Sequence, residues 1–191
     1  MCDEIWDLAA KAKNPIRFNM GEMLDSLALD HISSLTSRLV PLFSRLSNGY
    51  LMLLTKSSNI DGLLSLTPNG QTVVSWSLNT QPMIDSFEVG TASLEERLHA
   101  AKRCQERGYR IRLRIDPGIL YPDWQRDYAE LICKSLAVLE PENITLGMRG
   151  CCRDISDSPD KPTAPVAHSS RTRASGKEHR TANIAIVPSN A

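Results

Sequence analysis

No apolar run in the 191-residue chain approaches the ~20 residues of a membrane-spanning helix. Nor does Met1-Cys2-Asp3-Glu4 open a basic segment followed by an apolar stretch, the mark of a secretory leader. The expectation is a cytoplasmic protein with no membrane partner. Net charge is missing as well, because 22 Lys and Arg balance 22 Asp and Glu. That balance excludes an all-over basic nucleic-acid binder and leaves room only for a local basic groove. Pairable cysteines are also missing: Cys2, Cys104, Cys133, Cys151 and Cys152 form an odd set without regular spacing. A disulfide framework is excluded on that count, and a reducing compartment fits. His31 and His99 have no second ligand at metal-binding spacing, which argues against a metal site.

The chain divides into two segments of different character. From Cys151 onward aromatic residues vanish and large aliphatic ones are scarce until Ile184. Breaker chemistry fills the stretch Ser156-Asp-Ser-Pro-Asp-Lys-Pro-Thr-Ala-Pro165. Such a segment cannot bury enough surface to offset its chain entropy, so 151–191 is expected to be a disordered tail behind a 1–150 domain. The abrupt break in composition after Gly147-Met148 would also follow from a frameshift. Arg171, Arg173, Lys177 and Arg180 could touch nucleic acid, but a solvated low-complexity tail is the favoured reading.

Residues 1–150 alternate strand-like and helical patterns. Strands are expected at Ile16–Met20, Tyr50–Thr55, Thr72–Ser77, Arg110–Ile115 and Asn143–Met148. Helical stripes lie between Ile5 and Lys13, between Ser34 and Ser47 (with Pro41 inside), after Ser93 and after Asp123. Ser93-Leu-Glu-Glu96 reads as a capping box and Gly108 as the left-handed terminator of the same helix. Strand and helix alternating at about 30 residues per unit imply parallel strands joined by crossover helices. Five strands fall short of a closed barrel of about 250 residues. The expected class is therefore α/β, a partial (β/α) barrel of parallel strands with flanking helices.

Ligands of parallel α/β folds sit at the carboxyl ends of the strands. The residues just past each strand are Gly21-Glu22, Lys56, Ser77 with Asn79, Asp116, and Met148-Arg149. Each has a plainer reading beside the functional one. Glu22 and Asp25 suit a solvated loop, Lys56 a surface cation, and Ser77 a bond to the neighbouring strand. Asp116-Pro117 suits a strand terminator, since proline cannot continue the ladder.

Five ordered blocks resemble the spore photoproduct lyase family of radical S-adenosylmethionine (SAM) enzymes. They are Gly21-Glu-Met-Leu-Asp-Ser-Leu-Ala-Leu-Asp30, Leu54-Thr-Lys-Ser-Ser-Asn59, Thr72-Val-Val-Ser-Trp-Ser-Leu-Asn79, the stretch from Gly90 to Gly108, and Arg114-Ile-Asp-Pro117. The resemblance implies a partial barrel that binds SAM and a [4Fe–4S] cluster, forms a 5′-deoxyadenosyl radical, and acts on a thymine lesion in DNA. By the same resemblance Gly21-Glu22 matches the motif that receives the SAM amino group. Lys56 and Ser77 match contacts to the SAM carboxylate, and Asn79 and Asp116 are further candidates for cofactor or substrate. Two departures stand out. The Cys-x3-Cys-x2-Cys loop that ligates the cluster is absent from the sequence; the resemblance would put it ahead of Met1. No cysteine lies near Glu22, where the family's hydrogen donor falls. The chain thus reads as a piece of a radical SAM lyase, inactive by itself. The alternative is a cofactor-less nucleotide or nucleic-acid binding module working through Lys56 and the basic tail.

Overall fold

Parallel strands cannot be joined by tight turns, so each must be followed by a segment that carries the chain back across the sheet. The computed structural model describes residues 2–149 and 180–185, and it follows that rule through the domain. Helix α1 (Cys2–Lys11) leads to strand β1 (Ile16–Met20), and α2 (Asp30–Ser33) and α3 (Leu35–Phe43) return the chain to β2 (Gly49–Thr55). A short α4 (Asp61–Leu64) precedes β3 (Thr72–Ser77), and α5 (Gln81–Phe87) and α6 (Leu94–Arg107) precede β4 (Arg110–Ile119). Helix α7 (Trp124–Val138) then leads to β5 (Asn143–Arg149). The strands lie side by side in chain order, β1 to β5 all parallel. This is a half-barrel with its helices outside.

Alternation along each strand sorts side chains onto two faces. Leu51 and Leu53 of β2, Val74 and Trp76 of β3, and Ile111, Leu113 and Ile115 of β4 are all at most 2% exposed. They belong to one apolar cluster with Leu39, Val40 and Phe43 of α3 and Leu98, Ala101 and Cys104 of α6. The alternate residues of β4, Arg110, Arg112 and Arg114, are half-buried on the opposite, inner face. In register with them stand Val73, Ser75 and Ser77 of β3.

Local chemistry places the elements. Ser93 Oγ accepts from the Glu96 backbone N–H at 3.3 Å while Glu96 Oε2 accepts from the Ser93 N–H at 2.7 Å, so the capping box forms as expected. Gly108, at φ 104°, ends α6 in the left-handed region. Asp123 behaves differently: it precedes α7 at φ 65° and its side chain makes no cap bond. On α1, Ala9 is buried while Leu8 is 55% exposed.

Two further expectations are corrected. Asp116-Pro117 does not end the fourth strand; β4 runs on to Ile119. The register to β5 shifts between Ile115 and Gly118, which takes the proline, with no N–H to donate, out of the ladder. Within the expected tail, Arg180–Ala185 forms strand β6, antiparallel to β5. An exposed strand edge offers unpaired backbone groups to any segment able to extend beside it. The remainder of the expected tail, 151–179 and 186–191, lies outside the described residues, as do its cysteines.

Phe43 is fully buried and meets Phe18 edge-on at 5.4 Å between ring centroids. Phe43→Ala is expected to cost about 3–5 kcal/mol of unfolding free energy, read by urea denaturation. Ser93→Ala should cost about 1 kcal/mol. A smaller loss at Phe43 than at Ser93 would contradict this account of the core.

Candidate functional site

A cleft of about 260 Å³ opens at the carboxyl ends of the strands, lined by Gly21, Glu22, Lys56, Ser77, Arg114 and Asp116 among others. Its first wall is the loop after β1. Gly21 sits at φ 99°, and a Cβ there would lie 2.4 Å from the Leu54 carbonyl and 2.5 Å from Ser26 Oγ. Only glycine lets the chain turn so closely over the end of β2. Ser26 fastens the turn, donating its hydroxyl to the Met20 carbonyl at 2.7 Å and its N–H to that of Leu54 at 3.0 Å. Asp25 is a fastener too. Its carboxylate accepts from the N–H groups of Leu27, Ala28 and Lys56 and from the Thr55 hydroxyl. The plainer reading of Asp25 as a loop charge is thereby replaced by a tie between the two strand ends.

Lys56 and Ser77 enter from β2 and β3. Thr55 pairs with Trp76, so the next residues, Lys56 and Ser77, stand level at the rim. Lys56 Nζ lies 2.8 Å from Glu88 Oε1, and the other oxygen of Glu88 meets Arg97 Nη2 at 2.6 Å. Arg97 is fully buried. Its remaining donors reach the carbonyls of Ala92 and Ser77 and the Thr91 hydroxyl. Burial alone would raise the Glu88 carboxyl, but hydrogen bonds from Lys56 and Arg97 and their charges outweigh it and hold the group below its ordinary 4.5. Ser77 is 6% exposed, and its hydroxyl has no hydrogen-bond partner among the described residues.

The far wall is ionic. Arg114 of β4 grips both oxygens of Glu22 through Nη1 at 2.9 and 3.0 Å, and Asp116 Oδ2 through Nη2 at 2.9 Å. This fork spans the cleft from β4 to the loop after β1. Gly147 of β5 leaves room for Asp116, since a Cβ there would stand 2.5 Å from Asp116 Oδ1. Along the rim, Lys56 and Ser77 thus stand between the carboxylates of Glu22, after β1, and Asp116, on β4. A zwitterionic amino-acid group would find a partner for each of its charges.

Of the residues singled out from sequence, Gly21, Glu22, Lys56, Ser77 and Asp116 converge on this cleft. Asn79 does not line it. Its Oδ1 accepts from the Tyr128 hydroxyl at 2.7 Å and its Nδ2 donates to the Pro117 carbonyl at 3.4 Å, tying β3 to α7 and to the bulge of β4. The side chains of Met148 and Arg149 lie outside the described residues. Sequence reasoning missed Arg114, Glu88 and Arg97. The alternation Arg110-Ile-Arg-Leu-Arg-Ile115 was the available signal for the first, because period two puts every arginine on one face. Among the described residues no group of three His, Cys, Asp or Glu is placed to hold a metal ion, and no helix is long and apolar enough to cross a membrane.

Comparison with known proteins gives a consistent result. The family profile described as "Spore photoproduct lyase" matches residues 3–148. The spore photoproduct lyase of Bacillus subtilis is 30% identical over 147 residues, 74% of this chain and 43% of the relative. That of a Geobacillus species is 28% identical over 130 residues, 68% of this chain and 38% of the relative. A solved double mutant of spore photoproduct lyase with bound AdoMet and dinucleoside spore photoproduct superposes with a TM-score of 0.69 at 26% identity. The match covers 73% of this chain and 41% of that structure. The chain thus spans about two fifths of the length of these relatives.

Removing the carboxylate of Glu88 leaves Arg97 charged and buried, and Glu88→Ala is expected to cost about 3–5 kcal/mol near neutral pH. Because the folded carboxyl lies below 4.5, its contribution is complete above that value and is lost as pH falls through the folded pKa. The deficit of the variant should therefore shrink below pH 4.5. Urea unfolding across a pH series reads this directly, and an unchanged deficit at acid pH would refute it.

Proposed function

This chain belongs to the spore photoproduct lyase family, and we propose that its cleft is the SAM-binding part of a radical SAM lyase barrel. The carrying observation is that Glu22, Lys56 and Ser77, from three different strand ends, line a single cleft that offers both a carboxylate and an ammonium. Glu22 would take the amino group of SAM, exchanging part of its bond to Arg114. Lys56 and Ser77 would take the carboxylate: the Lys56 side chain is 36% exposed and the Ser77 hydroxyl is not committed elsewhere among the described residues. Gly21 would let the backbone approach the ligand closely. Asn79 acts one step back, holding the bulge that carries Asp116. When bound, SAM supplies the adenosyl group from which the family's radical chemistry starts.

Among the described residues, the thiols do not fit the [4Fe–4S] cluster that the same family membership implies. Three thiolates must converge on it. Cys104 is packed in the core, its thiol pushed by burial up to about 12, while Cys2 and Cys133 are exposed on separate helices. No step is therefore assigned to a cluster on this chain, and its own residues are assigned binding and orientation of SAM. The substrate reading is a thymine lesion in DNA, supported by the dinucleoside photoproduct held by the solved relative. A cytoplasmic setting is supported by the free cysteines among the described residues.

Calorimetric titration of the chain with SAM tests the reading. Lys56→Ala and Glu22→Gln should each weaken binding about 10- to 100-fold, the loss of one charge-assisted hydrogen bond. Absence of SAM binding, or equal affinity in the variants and the parent, would sink it.

A further inference from the structure

The opposite end of the sheet holds a second pocket, of about 180 Å³, lined by Arg17, Tyr50, Met52, Val73, Arg110 and Arg112 among others. These residues come from the amino-terminal halves of β1 to β4. From Tyr50 to Lys56 is six residues along β2, so the pocket lies about 20 Å from the SAM cleft.

Its charges do not balance. Arg110 and Arg112 share one carboxylate, Glu142, through their Nε atoms, at 3.1 Å for Arg112. Arg17 is exposed and its guanidinium has neither a hydrogen bond nor an ion pair among the described residues. Among the described residues, three guanidiniums thus face the pocket with a single counter-ion bonded to them. An internal ion-pair lattice would be expected to pair its cations more nearly one to one.

Two of the three are also held in place. Arg110 donates through Nη1 to the Gly70 carbonyl at 2.9 Å, and its guanidinium lies 5.6 Å from the centroid of the Tyr50 ring. The Arg112 side chain is 19% exposed, where water competes less for its donors. The floor is apolar, from Met52 and Val73. Guanidiniums present forked donors that match the oxygens of a phosphate.

We propose that this pocket binds a phosphate group, with Arg17, Arg110 and Arg112 as its cationic ligands. The volume admits one phosphate and not a duplex groove, so the ligand is a phosphomonoester or a single phosphodiester of an extended strand.

The test compares inorganic phosphate with chloride at equal ionic strength, by calorimetry and by the shift in melting temperature, on the full chain. A saturable phosphate-specific rise is expected. Arg17→Gln touches nothing in the fold and should weaken phosphate binding about tenfold or more. Arg38→Gln removes the same charge from an exposed position on α3 and should leave it unchanged. No saturable binding of phosphate, or equal losses in the two variants, would overturn the proposal. Oligothymidylate run in parallel identifies the source. Arg17-dependent binding of both ligands supports a nucleic-acid phosphate, and binding of inorganic phosphate alone supports a free phosphate compound.

Discussion

A guanidinium withdrawn from water must find acceptors for its donors. Arg97 meets that demand by drawing four acceptors from two stretches of chain around it: the Ser77 carbonyl at the end of β3, and the Ala92 carbonyl, the Thr91 hydroxyl and the carboxylate of Glu88 in the linker before its own helix. The last of these carries the constraint into the cleft, because the second oxygen of Glu88 holds Lys56. A residue on the outer helix layer thereby sets the position of an ammonium at the rim of the inner face. The strand end, the linker between α5 and α6, and the cleft are parts of one electrostatic unit.

The cleft and the arginine pocket use the same device at two ends of one sheet. Period two along β4 puts Arg110, Arg112 and Arg114 on the inner face, and what differs is their company. Arg114 is matched by two carboxylates, Glu22 and Asp116, and becomes a strut between the loop after β1 and the bulge of β4. Arg110 and Arg112 have Glu142 between them, and Arg17 stands beside them without one among the described residues. Charge balance at the carboxyl ends suits a zwitterion. Charge excess at the amino ends suits an anion.

Much of the fold was legible in the chain itself. The apolar runs of β2 and β3, the capping box at Ser93 and the terminator at Gly108 are local signals, and they act locally in the structure. Gly21, Glu22, Lys56 and Ser77 were also legible, because a parallel sheet sends every residue just past a strand to one edge. Asn79 lies two residues past β3, and alternation was not enough to say that Tyr128 and Pro117 would claim its amide. Glu88 and Arg97 were illegible for a different reason. Their pairing joins a linker to a helix nine residues on, and nothing in either residue says that the helix buries that face.

What the sequence determined by itself is the order of elements, the parallel sheet and the row of polar residues at its carboxyl edge, since periodicity, caps and breakers depend only on neighbours along the chain. Tertiary structure alone decided the partners: Arg114 with Glu22 across 92 positions of sequence, Lys56 with Glu88, β6 against the edge of β5. Those choices turn on which charges are brought within a few ångströms and how much water is left around them. Neither quantity exists until the chain has folded.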